Sequence, residues 1–558
     1  MGYVVVAAGA DAGTVTLTAT ADDATPGESS AVDVADLPAA VARAEAGRPR
    51  WVWDDTAGWY PGLLAAGVRV ERAHDLRLCH SILRRSPLSA GCGPATTPAG
   101  VWDAPRVPPA RRNETEPDLF GELFGDTGPG RAAPPDPLAE LRSQLDAVAG
   151  SAAPGRLRLL LAAESTGALL AAEMHADGMP WDADAHDRLL TGLLGPRPPA
   201  GTRPQRLADL AEEVRRILDR PDLNPDSQPD LLRALRRAGL DVTTTRAHEL
   251  RTHHHPVVAP LLEYKKLARL LAANGWSWAD TWVHGGRHRP EYVPAGVPTG
   301  RWATSGGGAL QLPEAVRGAV RADPGWRLVV ADARQLEPRV LAAMAGDEAM
   351  TAAARAGDLY TAIVDARVLP TRDQAKTALL GAVYGATTGP SATLLPRLAQ
   401  AFPRAMALVE DAARAGERGE VVRTWLGRGS PPPPDAWHRI MDSASTEGAS
   451  TADVTRAHRA ARDWGRFTRN FVVQGTAAEW ALCWLAALRR RLQHLPGRPH
   501  LVYFLHDEVI VHTPAETADA VATATVDAAT EAGRLLFGDS AADFPLDVAV
   551  VDAYDEAG

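Results

Sequence analysis

The chain has 558 residues and a formal net charge of −10, so it is long enough for two to four domains, each with its own core. The negative net charge argues against a protein that coats DNA, although a local basic groove can still bind phosphates. Three scattered cysteines (Cys79, Cys92 and Cys483) fit neither a disulfide framework nor a zinc cluster. The sequence shows no apolar run of membrane-spanning length and no basic flank of a secretory signal, so we expect no membrane association and a cytoplasmic location.

The N-terminal part, residues 1–163, predicts a small α/β domain. Apolar strands are predicted at residues 3–8 and 14–20, and short helices alternate with further apolar segments. Residues 84–137 are rich in proline, glycine and polar side chains, which predicts a loop or linker.

Amphipathic helices dominate the chain from Leu138 to about Arg269. One of them, at residues 228–239, carries three leucines on one face, which is typical of a helix packed in a small helical arm. The last 260 or so residues combine apolar strands with helices, including a long helix predicted at about residues 474–492.

Two apolar segments of this last part carry acidic residues at their ends. One predicted strand ends at Asp332, and two further apolar runs flank His506, Asp507 and Glu508, which predicts a hairpin with Asp507 at its tip. Two carboxylates on adjacent strands can hold two magnesium ions. Taken singly, however, a strand-end aspartate also fits a helix cap, and an acidic turn also fits a wet surface loop.

A helix predicted from Thr371 places four side chains along one face, because they are spaced four residues apart. They are Arg372, Lys376, Leu380 and Tyr384. Two cations, an apolar platform and a phenol suit a nucleoside triphosphate. Lys376 could also give a proton to a pyrophosphate leaving group, which an arginine in practice cannot. Without the acidic motifs, an ordinary amphipathic helix with a basic edge would explain the series equally well.

A second helical series, Arg466, Asn470 and Gln474, repeats the four-residue spacing. Side chains with both donors and acceptors can contact base edges and sugars in a minor groove. A solvated helix face is the simpler interpretation of this series by itself.

In this order the motifs resemble the family A DNA polymerases, the group of bacterial DNA polymerase I, from about Glu164 to the C-terminus. The family's T-G-R is similar to Thr299-Gly300-Arg301, and its L-Q-N-I-P to a shortened Leu310-Gln311-Leu312-Pro313. D-Y-S-Q-I-E-x-R is similar to residues 332–339, and R-x3-K-x3-F-G-x2-Y-G to residues 372–385. R-x3-N-x3-Q-G-T-A-A is similar to residues 466–478, and V-H-D-E to residues 505–508.

The resemblance implies a multidomain fold of the α/β and α+β classes. A small α/β exonuclease-like domain at residues 1–163 would precede a right-hand polymerase at residues 164–558. Within the polymerase we expect a thumb at about 190–288 and fingers at about 342–465, with the palm formed by the remainder.

The resemblance also implies roles for individual residues. The expected catalytic residues are Asp332, Asp507 and Lys376, with two Mg²⁺ ions, for which Mn²⁺ could substitute, held by Asp332, Asp507 and Ala333. The expected nucleotide-binding residues are Arg372, Lys376, Leu380, Tyr384, Glu337 and Gln335, with Glu337 blocking a ribose 2'-hydroxyl and accepting a hydrogen bond from Tyr384. The expected DNA-binding residues are Thr299, Arg301, Gln311, Arg466, Asn470, Gln474 and His506.

The implied partners are primer-template DNA and deoxynucleoside triphosphates, bound by a monomer at the nucleoid during replication or repair. Three residues depart from the family pattern. Leu380 stands where an aromatic residue is usual, Ala333 replaces a tyrosine, and Tyr360 stands where a triphosphate-contacting histidine is common. These departures put nucleotide affinity and speed in question and leave the two aspartates intact.

The N-terminal segments 50–55, 63–70 and 75–78 resemble the middle of the 3'-5' exonuclease domain of the family. The predicted first strand lacks the Asp-x-Glu pair that begins the exonuclease site, since Asp11 stands alone in a turn, and Asp146 has no tyrosine partner. We therefore expect little or no exonuclease activity. The alternatives are a bifunctional enzyme with proofreading, a weakly catalytic DNA-binding relative, and a single-subunit RNA polymerase, against which Glu337 argues.

Overall fold

The computed structural model describes residues 2–9, 11, 13–103, 136–199, 201–308, 312–385, 389–538 and 542–558. The chain begins with a sheet flanked by helices, as the sequence predicts. Its elements are β1 (Tyr3–Ala8), β2 (Thr14–Thr20), β3 (Pro26–Asp33), α1 (Leu37–Glu45), β4 (Arg50–Trp53), α2 (Thr56–Ala65), β5 (Arg72–Asp75) and α3 (Leu76–Arg85).

This N-terminal sheet has the strand order β3-β2-β1-β4-β5. The first three strands are antiparallel neighbours, whereas β4 and β5 run parallel to β1. Trp51, Trp53 and Tyr60 fill the core between the sheet and α2, and each is at most 1% exposed. The two strands predicted from the sequence are confirmed.

Two helices, α4 (Pro137–Ala149) and α5 (Pro154–Asp177), follow the segment predicted as a linker. The first part of that segment forms three short 3-10 turns, Pro87–Ser89, Gly93–Ala95 and Val101–Asp103. Residues 104–135 lie outside the described residues. The predicted domain boundary at 163/164 falls inside α5, which packs against both the N-terminal sheet and the later part of the chain.

A helical arm comes next, formed by residues 183–274. The elements from here to the next sheet are β6 (Met179–Pro180), α6 (Ala183–Leu194), α7 (Gln205–Ile217), α8 (Gln228–Arg237), α9 (Ala247–Leu250), α10 (Val258–Asn274), α11 (Trp276–Trp282), β7 (Val283–His284) and β8 (Arg287–His288). Leu231 and Leu235 of α8 are buried with Leu250 and Leu261 in a small separate core. The predicted apolar stripe therefore faces the interior of the arm.

The middle of the chain leads into one long strand and then into a helical region. Its elements are β9 (Glu291–Val293), β10 (Ala303–Gly306), α12 (Glu314–Arg317), β11 (Trp326–Ala333), α13 (Leu336–Ala345), α14 (Glu348–Arg355), α15 (Leu359–Asp365), α16 (Arg372–Tyr384), α17 (Gly389–Ala401), α18 (Pro403–Glu417), α19 (Asp435–Ser445) and α20 (Thr451–Leu492). The helix predicted at 474–492 is the C-terminal half of α20, which has 42 residues.

Helix α20 is the one helix of the described residues that is long and apolar enough to cross a membrane by length and composition. Its most apolar window is 89% buried inside the protein, as in the core helix of a folded domain. The helix packs against α18, α5 and the last long helix, so protein surrounds it on several sides.

The chain ends with β12 (His500–Leu505), β13 (Glu508–Pro514), α21 (Ala518–Phe537) and β14 (Leu546–Val551). These three strands join β11 in an antiparallel sheet of order β12-β13-β11-β14. Strand β11 is central, so residues at its end are flanked by a strand on each side.

A buried ion pair joins α20 to α5, beside α2 of the N-terminal part. Arg489 contacts Glu173 of α5 through Nε to Oε2 at 2.8 Å and Nη2 to Oε1 at 2.6 Å, and both side chains are at most 7% exposed. The Tyr60 hydroxyl donates to the same carboxylate at 2.6 Å. Arg489 also donates to the backbone carbonyls of Val70 and Glu71 at 2.6 and 2.8 Å. Helices α2, α5 and α20 therefore meet at one carboxylate.

Candidate functional site

The acidic residues predicted to act together lie at one end of the four-stranded sheet. Asp332 is the penultimate residue of β11, and its register partners are Glu508 on β13 and Asp547 on β14. Asp507 lies in the turn between β12 and β13, where its carbonyl accepts a hydrogen bond from the Ala333 amide at 2.9 Å. The structure thus brings the strand end and the hairpin tip together.

The charges of this cluster repel one another. Burial, together with the charges of Asp507, Glu508 and Asp547, raises the pKa of Asp332 to about 7, although part of the side chain reaches solvent. Burial likewise raises the pKa of Asp507 to about 6, with the Arg301 charge opposing the rise. Carboxylates with raised pKa values gain stability when a cation binds between them, so the cluster fits divalent metal ions.

The predicted metal ligands form a sparse set. Among the described residues there is no group of three or more histidine, cysteine, aspartate or glutamate side chains arranged to hold a metal ion. Ala333, the third predicted ligand, is 3% exposed and offers only its backbone carbonyl. Any metal ions at this centre would therefore take ligands from Asp332, Asp507, the backbone and the bound substrate.

Glu337 lies at the start of α13 and links this centre to α16. Its Oε2 accepts a hydrogen bond from the Tyr384 hydroxyl at 2.8 Å, and its Oε1 contacts Nη2 of Arg301 at 2.6 Å. The hydrogen bond between Glu337 and Tyr384 that the sequence predicts is confirmed. Glu337 is 8% exposed whereas Tyr384 is 43% exposed, so the tyrosine ring faces the cleft and the carboxylate lies behind it.

We expect Glu337→Ala to admit ribonucleotides, because the substitution empties the space that the carboxylate fills and frees Tyr384. Selection against ribonucleotides should fall by about a hundredfold, the range of discrimination that one shaped contact gives. Single-turnover incorporation of matched deoxyribo- and ribonucleotides measures the ratio. Tyr384→Phe keeps the ring and removes the hydrogen bond to Glu337. It therefore distinguishes the effect of the hydrogen bond from the steric effect of the Glu337 carboxylate. An unchanged ratio in Glu337→Ala would contradict the assignment.

The predicted cations of α16 differ in their surroundings. Arg372 donates to Asp358 at 2.8 Å, and its guanidinium lies 5.5 Å from the centre of the Tyr360 ring. Lys376 is exposed one turn further along, followed by the half-buried Leu380. Arg372 would have to exchange Asp358 for a phosphate, whereas no ion pair with another described residue engages Lys376.

The residue predicted beside these cations, Gln335, has a left-handed backbone with φ of 54°. Its Oε1 accepts the amide hydrogen of Leu359 at 2.9 Å, at the first turn of α15. Asp358 caps the same helix by accepting from the Thr361 amide at 2.8 Å. Gln335 and Asp358 therefore fix the start of α15, where Tyr360 is 5% exposed.

Three residues predicted to contact DNA, Arg466, Asn470 and Gln474, lie on α20 near the C-terminal end of α16. The aliphatic part of Arg466 packs on Gly385, where a Cβ would lie 2.9 Å from Arg466 Cγ, so a glycine with φ of 71° lets α16 and α20 approach. Asn470 and Gln474 follow on α20 and are half-buried. The prediction that these three residues share one helix is confirmed.

The T-G-R segment and the hairpin share a small cleft, which Gly300, Arg301 and His506 line. His506 has a φ of 57°, and burial together with the Arg301 charge lowers its pKa to about 4, so the ring is neutral at pH 7. Thr299 is 5% exposed behind them. Gln311, also predicted to contact DNA, lies outside the described residues.

Three charged neighbours of the site were missed by sequence reasoning: Arg334, Asp358 and Asp547. Asp547 comes next to Asp332 only through the register of β14 on β11. Asp358 caps a helix and contacts Arg372 across 14 residues of chain. Neither residue belongs to a motif, so the local sequence carried no signal for them.

Comparison with known proteins identifies the family. The sequence model described as DNA polymerase family A matches residues 203–551, which is more than half of the chain, and the chain therefore belongs to that family. DNA polymerase I of Chloroflexus aurantiacus is 27% identical over 360 residues, covering 57% of this chain and 36% of the relative. The thermostable DNA polymerase I of Thermus aquaticus is 27% identical over 358 residues, covering 57% of this chain and 40% of the relative. The chain thus spans well under half the length of these relatives.

A solved structure shows the fold over a wider range. It is described as the POL domain of Pol1 from M. smegmatis in complex with DNA primer-template and dNTP. The TM-score is 0.65 at 17% sequence identity, and the match covers 100% of this chain and 96% of that one. The predicted fold class, an α/β N-terminal part followed by a right-hand polymerase, is confirmed.

Proposed function

We propose that the protein is a DNA-directed DNA polymerase that adds deoxynucleotides to the 3' end of a primer. The observation that carries the proposal is the meeting of Asp332 and Asp507 at adjacent strand ends, within a carboxylate cluster whose pKa values are raised. Membership of the family supports it. We propose further that it acts as a monomer in the cytoplasm, at the nucleoid, in replication or repair.

The structural parts divide the work in this proposal. The sheet of β11 to β14 would belong to the palm, the fingers at about residues 342–465 would include α14 to α19, and the thumb at about 190–288 would include most of the helical arm. Arg372 and Lys376 on α16 would bind the triphosphate, with Leu380 against the base and sugar. Arg301 and His506 would lie beside the primer end.

Asp332 and Asp507 would hold two Mg²⁺ ions, or Mn²⁺ in their place. When bound, the ions would activate the primer hydroxyl and neutralise charge on the triphosphate. Glu337 would exclude a 2'-hydroxyl from the sugar site. Lys376, which is exposed on α16, would supply a proton to the departing pyrophosphate.

A primer-extension assay tests the function. A labelled primer on a longer template should lengthen when the four deoxynucleotides and Mg²⁺ are present, and should remain unchanged when EDTA replaces Mg²⁺. The same assay with ribonucleotides separates a DNA polymerase from an RNA polymerase. Absence of extension with either metal ion would reject the proposal.

The N-terminal domain is proposed to be a 3'-5' exonuclease-like domain that has lost its activity. Its first strand, β1, ends with Ala7 and Ala8, where an acidic pair would be needed. Two acids near the ends of β4 and β5 serve helix caps instead. Asp75 is fully buried and accepts from the amides of Thr56 and Leu78 at 2.8 and 3.0 Å, and Asp55 accepts from Ala57 at 2.9 Å. These contacts support a structural role for both acids.

We expect the purified protein to leave a mismatched primer end intact when nucleotides are omitted, with either Mg²⁺ or Mn²⁺. A site that lacks at least two of its acidic ligands should be slower by orders of magnitude. Gel analysis of a labelled primer measures the shortening. The Asp332→Ala variant serves as the control, because it removes the polymerase site while the N-terminal domain stays unchanged. Stepwise shortening that persists in this variant would instead support the bifunctional alternative.

A further inference from the structure

Arg334 is a cation beside the acidic cluster for which the family pattern gives no role, since the motif D-Y-S-Q-I-E-x-R has serine at this position. Arg334 is the first residue of the turn after β11, and its amide donates to the Pro545 carbonyl at 3.1 Å, just before β14. Its side chain is 49% exposed.

Asp547 holds the Arg334 guanidinium at the edge of the cluster. Nε donates to Asp547 Oδ1 at 2.6 Å, and Nη2 contacts the same oxygen. Asp547 is also the register partner of Asp332 on β14. The guanidinium thus lies next to the carboxylates at which a metal-bound triphosphate would arrive.

The fingers hold a second ion pair of the same kind, in which Arg372 donates to Asp358 at 2.8 Å. The two segments are in contact, because Gln335, the residue after Arg334, accepts the amide hydrogen of Leu359, the residue after Asp358, at 2.9 Å. Arg334 from the palm and Arg372 from the fingers are thus each paired with an aspartate near this contact. Tyr360, a neutral residue, lies under Arg372 where the family commonly has a histidine that contacts the triphosphate.

We propose that Arg334 binds the terminal phosphates of the incoming deoxynucleoside triphosphate and of the released pyrophosphate. It would supply, from the turn after β11, the phosphate contact that Tyr360 does not supply from α15. A guanidinium suits this task because its planar array of donors matches phosphate oxygens and keeps its charge. In this structure Asp547 accepts from Arg334, and Asp358 accepts from Arg372. The inference rests on the proposed polymerase function.

The Arg334→Ser variant, which restores the family residue, tests the proposal. We expect the KM for deoxynucleotides and for pyrophosphate in the reverse reaction to rise about tenfold, as for the loss of one charge-assisted contact. The kcat and the affinity for primer-template should change little. Arg327→Ser is the matched control, because Arg327 forms a similarly exposed ion pair with Asp552, at 2.6 Å, at the far end of the same pair of strands. A KM in Arg334→Ser equal to that of the wild type would overturn the proposal.

Asp547→Asn separates phosphate binding from a structural ion pair, because it breaks the same contact while keeping the arginine. If Arg334 binds phosphate, Asp547→Asn should not raise the KM for deoxynucleotides. If the ion pair only stabilises the position of β14, Arg334→Ser and Asp547→Asn should raise the KM for deoxynucleotides equally, and this result would overturn the proposal. The double variant Arg334→Ser/Tyr360→His should have a lower KM for deoxynucleotides than Arg334→Ser. An equal KM in the two would refute the idea that Arg334 replaces a phosphate contact missing at Tyr360.

Equilibrium binding distinguishes a failure of this inference from a failure of the proposed function. Deoxynucleotide affinity can be measured on a primer-template with a dideoxy end, with Ca²⁺ in place of Mg²⁺, so no turnover is needed. A weaker affinity in Arg334→Ser than in Arg327→Ser would support the inference even if extension were absent. If the wild type extends primers and the two variants bind deoxynucleotides with equal affinity, the inference about Arg334 is rejected and the proposed function stands.

Discussion

Asp332→Ala and Asp507→Ala are each expected to lower nucleotide incorporation by about three orders of magnitude or more, because each removes a carboxylate that would hold the metal ions against transition-state charge. Affinity for primer-template should remain largely intact, since it depends on arginine contacts to phosphates elsewhere in the protein. Single-turnover extension measures the rate, and fluorescence anisotropy at one fixed salt concentration measures the affinity.

A control and a folding test accompany this prediction. Asp552→Ala removes an exposed aspartate just beyond the other end of β14, 61% exposed and paired with Arg327, and should extend primers at the wild-type rate. Asp332→Ala should also be at least as resistant to heat as the wild type in EDTA, because Asp332 is repelled by three neighbouring carboxylates. Near-normal extension by either active-site variant would show that the metal assignment is wrong.

The sequence predicted the parts of the site that local patterns specify. Strand β11 and the β12-β13 hairpin are apolar runs that end in acids, and α16 follows Thr371, which caps it by accepting from Gln374. The side chains on one face of α16 follow directly from helical spacing. These elements needed no knowledge of the rest of the chain.

The parts that the sequence missed depend on distant contacts. Arg334 and Asp547 are 213 residues apart and meet only through strand register. The first part of α20 is largely exposed and polar, so apolar periodicity did not indicate a helix ahead of the series that starts at Arg466, although Ser450 caps the helix at its start. Helix α5 is buried on several sides and therefore apolar along most of its length. The sequence alone did not reveal that one continuous helix crosses the predicted domain boundary at 163/164.

Glu173→Gln is expected to destabilise the joint between the N-terminal domain and the palm by about 3–5 kcal/mol, the usual effect of leaving one member of a buried ion pair alone. Burial by itself would raise the pKa of Glu173, but Arg489, Arg69 and Tyr60 together lower it, so the carboxylate is charged in the folded protein. The isosteric amide keeps the packing and removes the charge. Arg489 would then remain buried, 5% exposed, without its counter-ion.

The ion pair between Glu173 and Arg489 makes stability depend on pH. The pKa of Glu173 in the folded protein lies below its ordinary value. The pair therefore stabilises the protein fully at pH values above the ordinary pKa, and this stabilisation is lost as pH falls through the folded pKa. The difference in stability between the wild type and Glu173→Gln should therefore narrow in acid. Urea unfolding, followed by hydrogen exchange in α2 and α20, reports the joint separately from the rest of a multidomain chain.

Glu531→Gln is the matched control, since Glu531 contacts Arg490 and Arg491 at 2.6 and 2.8 Å, one and two residues beyond Arg489, with partial exposure. Its loss should cost at most about 1 kcal/mol, as for other exposed pairs. Replacing both Glu173 and Arg489 by leucine should recover only part of the loss, because the carbonyls of Val70 and Glu71 would lose the donors that Arg489 gives them. Equal unfolding midpoints for Glu173→Gln and Glu531→Gln would show that the buried carboxylate does not hold the domain to the palm.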